Sequence, residues 1–218
     1  MCIRDSFTSL SDLLSDGYIP DPFRQNRVYL VAEPDEAHEY DPVDATDVDR
    51  ARTAVSNYLG YGQLLATYLG HASHSQWAQE ILLHRDEVAG VGSGGRLPVV
   101  LSMTCYTGSF HHPPYAPLDE RLVVEPGGGA VAAWGPTSSA LVAGHYLLAQ
   151  EFYRVALGPD AASLGAATLA GKTNVYVHSP ASSYLVETYV LLGDPATSLY
   201  LTPHDPNAVY LPLIYDEN

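Results

Sequence analysis

Two apolar runs of eight residues, Gln63 to Gly70 and Leu97 to Thr104, constrain this chain more than any other feature. Each has the length of a strand and lacks the strict alternation of a strand with one solvated face, so both predict strands buried on both faces. Strands of that kind lie inside a sheet covered by helices on either side. Their ends, His71 and Cys105, are 34 residues apart, which is enough for one crossover connection between parallel neighbours.

The remaining segments alternate in the same way. Phe7, Leu10, Leu13 and Leu14 recur at helical spacing before Gly17, predicting an amphipathic helix over Phe7 to Tyr18. Arg27 to Ala32 is a short strand and Glu33 to Asp44, acidic and with two prolines, a loop. Thr46 caps a helix running to Leu59, with Asp49 as a weak capping box. Trp77, Ile81, Leu82 and His84 predict a helix within Gln76 to Val88, and Val91 to Arg96 is a Gly-rich turn. A strand over Gly129 to Trp134 follows, then helices over Ser139 to Leu157, Leu164 to Thr173 and Tyr184 to Leu192, with Leu199 to Thr202 as a last short strand. The expectation is one α/β domain: a doubly wound, mostly parallel sheet with helices on both faces. No repeat of fixed period or low-complexity tract interrupts it.

Charge excludes some classes of function. Ten Lys and Arg residues against 25 Asp and Glu leave a formal charge of −15, and Lys172 is the sole lysine, so the molecular field repels nucleic-acid phosphates and anionic lipid. No apolar run is long enough to span a bilayer. With Cys2 and Cys105 alone a disulfide framework is not expected, and Cys105 reads as a lone thiol. Met1 to Ser6 resembles a translated library-adaptor scar of the sort found at the ends of metagenomic reading frames; it is set aside from fold reasoning, and the natural start is expected further upstream.

Ligands of open α/β sheets bind beyond the carboxyl ends of the strands, where His71 and Cys105 fall. A thiol and an imidazole there supply two of the groups that covalent hydrolysis needs: a nucleophile, and a base that takes its proton and returns it to the leaving group. Core readings exist for each, since a Cys after an apolar strand is commonly inert packing. Zinc is weighed and set aside: His74, His111 and His112 lie near the same motifs, but His-x-x-His is not the helical i, i+4 pair of a metalloprotease and no Glu stands between its two histidines. No cofactor is expected.

The segments Tyr-Leu-Gly-His-Ala-Ser-His-Ser-Gln-Trp (68 to 77), Met-Thr-Cys-Tyr-Thr-Gly-Ser-Phe (103 to 110), Gly-Gly-Ala-Val-Ala-Ala-Trp-Gly-Pro-Thr-Ser (128 to 138) and Leu-Leu-Gly-Asp-Pro (191 to 195) resemble the gingipain-like C25 cysteine peptidases, and the likeness covers most of residues 10 to 201. The resemblance implies a caspase-like fold, a polypeptide substrate and an exported or cell-surface location. His71 matches the catalytic histidine and Cys105 the nucleophile. The backbone N–H groups of Ala72, standing where the family usually has Gly, and of Cys105 match the oxyanion hole. Trp77, Trp134 and Thr137 match a possible pocket wall, and Gly108 and Phe110 the turn after the cysteine.

The resemblance also implies that the first strand of the sheet is missing, with a domain over residues 7–203, a tail over 204–218, and the Arg27 to Ala32 strand left as the exposed neighbour. Glu33 follows the wrong strand to be assigned as the family's acidic residue. Asp119 and Glu120 read as a solvated charge pair, and Asp194-Pro195 as a turn. The competing class is a C25-like module retained for surface assembly rather than catalysis.

Overall fold

The computed structural model describes residues 4–20, 23–30, 43–45, 47–91, 96–112, 114–159, 162–199 and 210–216. In chain order its elements are α1 (Arg4–Tyr18), β1 (Arg24–Leu30), β2 (Val43–Ala45), α2 (Val48–Gly60), β3 (Leu65–Leu69), β4 (Gln76–Trp77) and β5 (Leu83–His84). There follow β6 (Val99–Met103), α3 (Leu118–Val124), β7 (Ala132–Pro136), α4 (Val142–Ala156), α5 (Leu164–His178), α6 (Leu185–Thr188), β8 (Tyr189–Leu192) and β9 (Tyr210–Asp216). Seven strands form one sheet in the order β2-β1-β9-β3-β6-β7-β8, parallel throughout except for the last pair.

Both apolar runs form the expected parallel neighbours. β3 pairs with β6 from Leu65↔Val99 to Leu69↔Met103, a constant offset of 34 residues, and every residue of both strands is buried. Alternation sends their side chains into two cores. Leu65, Leu69, Val99, Leu101 and Met103 pack on the face covered by α1, α4 and α5, whereas Ala66, Tyr68 and Val100 pack on the opposite face, with Leu118 and Leu122 of α3. Thr67, on the first face, hydrogen-bonds its hydroxyl with that of Tyr153 on α4, so this buried polar pair is satisfied within the core.

Several elements differ from the sequence reading for identifiable reasons. Residues 76–88 are not a helix: β4 and β5 form a two-stranded hairpin followed by a 3₁₀ turn, Arg85–Gly90. Ala78 and Ile81 take left-handed φ angles of 58° and 62°, which end any helix, and His84 with Glu87 builds a capping box for the turn. Trp77, Leu82, Leu83 and Val88 are buried, so helical spacing has arisen from a folded-over hairpin. The expected helix over 184–192 divides into the single turn α6 and the edge strand β8.

Boundaries move elsewhere. α1 begins at Arg4, inside the segment set aside, α2 is capped by Asp47, and α5 runs on to His178. β7 starts later than expected because Gly127 and Gly129, at φ 84° and 83°, extend the preceding turn; a Cβ on Gly129 would lie 2.0 Å from the Leu122 carbonyl oxygen. Helix α3 was not anticipated.

The largest topological correction concerns the middle of the sheet. β9 lies between β1 and β3, in register from Arg24↔Tyr210 to Leu30↔Asp216 on one side and from Thr67↔Leu213 to Leu69↔Tyr215 on the other. β1 is therefore paired on both sides, with β2 at its outer edge, and is not the exposed neighbour expected above. Pro212 hid this strand in the sequence. It falls where β9 pairs with β1 alone, before the β3 ladder begins, so its missing N–H removes no bond to β3. The strand expected over Leu199 to Thr202 has Leu199 buried outside any strand, and its remainder lies beyond the described residues, as do Val31, Ala32, Glu33 and Thr46.

Candidate active site

The β3–β6 ladder ends at Leu69↔Met103, and a side-chain bond ties the two chains together just beyond it. Thr104 donates its hydroxyl to the Gly70 carbonyl at 2.6 Å, again 34 residues away, and the next residues are His71 and Cys105. Both residues thus leave the same carboxyl end of adjacent central strands. Both also lie on the α1/α4 side: the His71 ring meets Phe7 of α1 edge-on at 5.7 Å, and the Cys105 Sγ faces the backbone just before α4.

His71 is exposed at its ring and fixed at its backbone. Its carbonyl accepts the Ala78 N–H at 2.8 Å and also the Tyr68 hydroxyl, which in turn accepts the same Ala78 N–H at 2.9 Å. Trp77 stacks on Tyr68 at 4.7 Å with the planes 7° apart. The strand end, the hairpin and the core are thereby locked together around the histidine's main chain. Ala72 forms an isolated antiparallel bridge with Trp77 whose bonds are made by the flanking residues, Ala78 to His71 and Ser73 to Gln76. In such a pair the N–H of the central residue points out of the bridge. Ala72 is not among the residues with positive φ, so its Cβ carries no left-handed strain.

Cys105 is half-buried and free. Its Sγ accepts the Ala140 N–H at 3.4 Å and donates to the Ala140 carbonyl at 3.7 Å, which holds the thiol against the chain entering α4. The turn that follows is strained and tightly seated. Tyr106 adopts φ 62°, its N–H reaching the Ser138 carbonyl at 3.1 Å, and the Gly108 N–H reaches Pro136 at 2.9 Å. Glycine is required at 108, since a Cβ there would lie 2.9 Å from the Gly135 carbonyl oxygen. Among the described residues no hydrogen bond consumes the N–H of Ala72 or of Cys105.

Other expected residues are placed differently. Trp77 and Trp134 have no exposure: Trp77 belongs to the core under the hairpin, and Trp134 packs on Phe152 and Tyr189 in the other. Neither offers a ring face to a substrate side chain, which corrects the expectation of a pocket wall for both. Thr137 is half-buried, with its N–H and hydroxyl both donated to the Thr188 carbonyl. Phe110 and Tyr106 are instead the exposed aromatics on the cysteine loop. His74 donates to or accepts from the Ser109 hydroxyl at 2.5 Å and faces the His112 ring at 4.6 Å; burial first, then His112 and His111, push its pKa down. Among the described residues no three groups converge as metal ligands.

Asp119 overturns its reading as part of a solvated pair, while Glu120 beside it is half-buried. The Asp119 side chain is wholly buried on the α3 side, accepting the hydroxyls of Ser102 at 2.7 Å and Thr107 at 2.8 Å. Burial raises its pKa from 3.8 to about 6, against the lowering effect of the two hydroxyls. His145 on α4 is equally enclosed, with neither ring nitrogen hydrogen-bonded among the described residues; burial lowers its pKa to about 4, only partly offset by the nearby Thr104 main chain. Nothing in local sequence distinguished these two, since their burial comes from helices docking on opposite faces of β6 and β7.

Comparison with known proteins decides the family. The family model for peptidase family C25 matches residues 5–200. The chain belongs to peptidase family C25. Among solved structures it resembles the Arg-specific cysteine proteinase gingipain R (RgpB), at 15% identity and a TM-score of 0.61, over 91% of this chain and 54% of that one. It likewise resembles the complex of Porphyromonas gingivalis RgpB pro- and mature domains, at 15% identity and a TM-score of 0.63, over 89% and 54%. These matches show the gingipain fold, which is caspase-like, and the chain spans about half the length of those structures. No curated protein matches the sequence. C25 is a cysteine peptidase family, so its chemistry concerns polypeptides.

Proposed function

We propose that this C25 domain is a cysteine endopeptidase with Cys105 as nucleophile and His71 as its proton carrier. The observation that supports this most is that β3 and β6 are parallel neighbours with an offset of 34 residues, tied together at their carboxyl ends by the Thr104–Gly70 bond, and that His71 and Cys105 are the next residues of each chain.

In this reading Cys105 passes its thiol proton to His71, and the thiolate sulfur attacks the carbon of the scissile carbonyl, forming a C–S bond while the C=O electron pair moves onto oxygen. The N–H groups of Ala72 and Cys105 donate to that oxyanion. Collapse breaks the C–N bond, His71 delivers a proton to the departing amine, and the acyl group remains as a thioester. Water, deprotonated by His71, then hydrolyses the thioester and regenerates the thiol. Because Trp77 and Trp134 are buried, the exposed rings of Tyr106 and Phe110 on the cysteine loop are the aromatics available to meet a substrate side chain. By its family resemblance the protein acts at or beyond the cell surface.

A thiol-directed, peptide-based acyloxymethyl ketone tests the reading. Modification at Cys105 in the wild type, with none in His71→Ala and peptide cleavage abolished in Cys105→Ala, is the expected result. Cleavage that persists in Cys105→Ala removes the cysteine from the chemistry, and an unmodified Cys105 with no cleavage leaves the assembly-module reading standing.

A further inference from the structure

We propose that Asp119 is a positioning residue that fixes the nucleophile turn by binding the strand before Cys105 and the loop after it with one carboxylate. Ser102 precedes the cysteine by three residues and Thr107 follows it by two; their hydroxyls donate to Oδ1 at 2.7 Å and to Oδ2 at 2.8 Å respectively. The Asp119 N–H adds a third tie, to the Thr107 carbonyl at 3.0 Å. Cys105 thus sits on a span whose two ends are held by the same buried group.

The seat is built for that carboxylate. A Cβ on Gly135 of β7 would lie 2.0 Å from Oδ2, 3.0 Å from the Ser102 Cβ and 3.0 Å from the Thr107 Oγ1, so the glycine opens the space in which the three side chains meet. No ion pair compensates the charge among the described residues. The groups facing it are the neutral hydroxyls of Ser102 from β6 and Thr107 from the loop, the Gly135 backbone from β7, and the Tyr189 phenol from β8, whose ionisation it opposes. A buried, unpaired carboxylate is expensive to keep, and a neutral side chain would fill the space more cheaply. What the ionised group alone supplies is two acceptor oxygens, so that both hydroxyls donate at once; an asparagine offers one.

The inference rests on the peptidase reading for its catalytic consequence, and its test separates the two. Amide hydrogen exchange at pH 7.5 is compared in wild type, Asp119→Asn and Thr107→Val, alongside kcat and KM on a fluorogenic peptide cleaved by the wild type. The amides of Tyr106 and Gly108, bonded to Ser138 and Pro136, are expected to exchange at least tenfold faster in Asp119→Asn, with Leu101 in β6 unchanged and the melting temperature not lowered. The expected kinetic result is a kcat reduced at least tenfold with KM within threefold, a smaller loss in Thr107→Val, and no further loss in the double variant. Unchanged exchange at Tyr106 and Gly108 overturns the proposal. So does faster exchange throughout the sheet in proportion to a lowered melting temperature, which is a purely structural role; if Asp119→Asn does not fold, Thr107→Val decides by the same two amides. Turnover in the wild type that survives Cys105→Ala sinks the peptidase reading alone, because the exchange result stands without it.

Discussion

Two buried titratable groups on opposite faces of the sheet make opposing contributions to the way this domain's stability responds to acidification, and removing either should expose the other. Asp119 has its pKa raised from 3.8 to about 6. A raised acid contributes stability that is present below its unfolded pKa and lost as pH rises through the folded value. His145 has its pKa lowered from 6.5 to about 4, so its contribution is present above 6.5 and lost as pH falls toward 4. Each of these displacements corresponds to about 3 kcal/mol in full. Between pH 7 and 4.5 most of each is realised, roughly 2 kcal/mol gained through Asp119 and roughly 2 lost through His145.

The assay is urea denaturation of wild type, Asp119→Asn and His145→Phe at pH 7.0 and 4.5. Carboxylates common to all three proteins cancel when each variant is referred to wild type at the same pH. Relative to wild type, Asp119→Asn should become less stable on acidification by about 2 kcal/mol, and His145→Phe more stable by about 2 kcal/mol. Parallel pH profiles for wild type and Asp119→Asn, differing by less than about 0.5 kcal/mol in slope across this window, would refute the argument that burial governs the carboxylate.

The other predictions are narrower. Cys105→Ala should lower peptide turnover by roughly a thousandfold or more while leaving the melting temperature within a few degrees, as calorimetry and a fluorogenic assay would show. Gly135→Ala forces a Cβ to within 2.0 Å of the Asp119 carboxylate and should destabilise by about 1–3 kcal/mol with turnover reduced, measured by urea midpoint and hydrolysis rate. Tyr68→Phe removes the donor to the His71 carbonyl and the acceptor of the Ala78 N–H; a loss of about 1–3 kcal/mol and faster exchange of the Ala78 amide are expected. Tyr106→Gly should relieve the left-handed strain at φ 62° and raise stability by about 1 kcal/mol in thermal unfolding.

The central strands were legible because burial on both faces leaves a continuous apolar signature that local sequence carries whole. The same is true of the strand-end pair His71 and Cys105, whose separation equals the register offset of β3 and β6. What failed to read was set by contacts distant in sequence. The hairpin at 76–88 keeps its apolar residues at helical intervals, and only the left-handed Ala78 and Ile81, with the Ala78 N–H bonded back to His71 and the Leu82 N–H to Trp77, distinguish it. β9 owes its place between β1 and β3 to pairing with strands some 140 to 190 residues earlier, and Pro212 argued locally against it. Asp119 looked solvated beside Glu120 because a helix of seven residues was invisible until it docked against Gly135.

Strand alternation also separates the residues that would react from those that hold them. His71 and Cys105 fall on the α1/α4 face with Leu69 and Met103, whereas Ser102, Gly135 and Asp119 lie on the α3 face, one residue out of phase along the same strands. A substitution on the α3 face therefore acts on the thiol through the backbone of the 102–107 turn and not by touching substrate. Its effect belongs in the rate of the chemical step more than in binding. If the proposed peptidase reading holds, substitutions at the exposed Tyr106 or Phe110 of the cysteine loop are expected to act on substrate directly and to belong in KM. That division gives the two faces opposite kinetic signatures, and finding the KM effect on the α3 face would mean that substrate reaches Asp119, which its complete burial in this structure forbids.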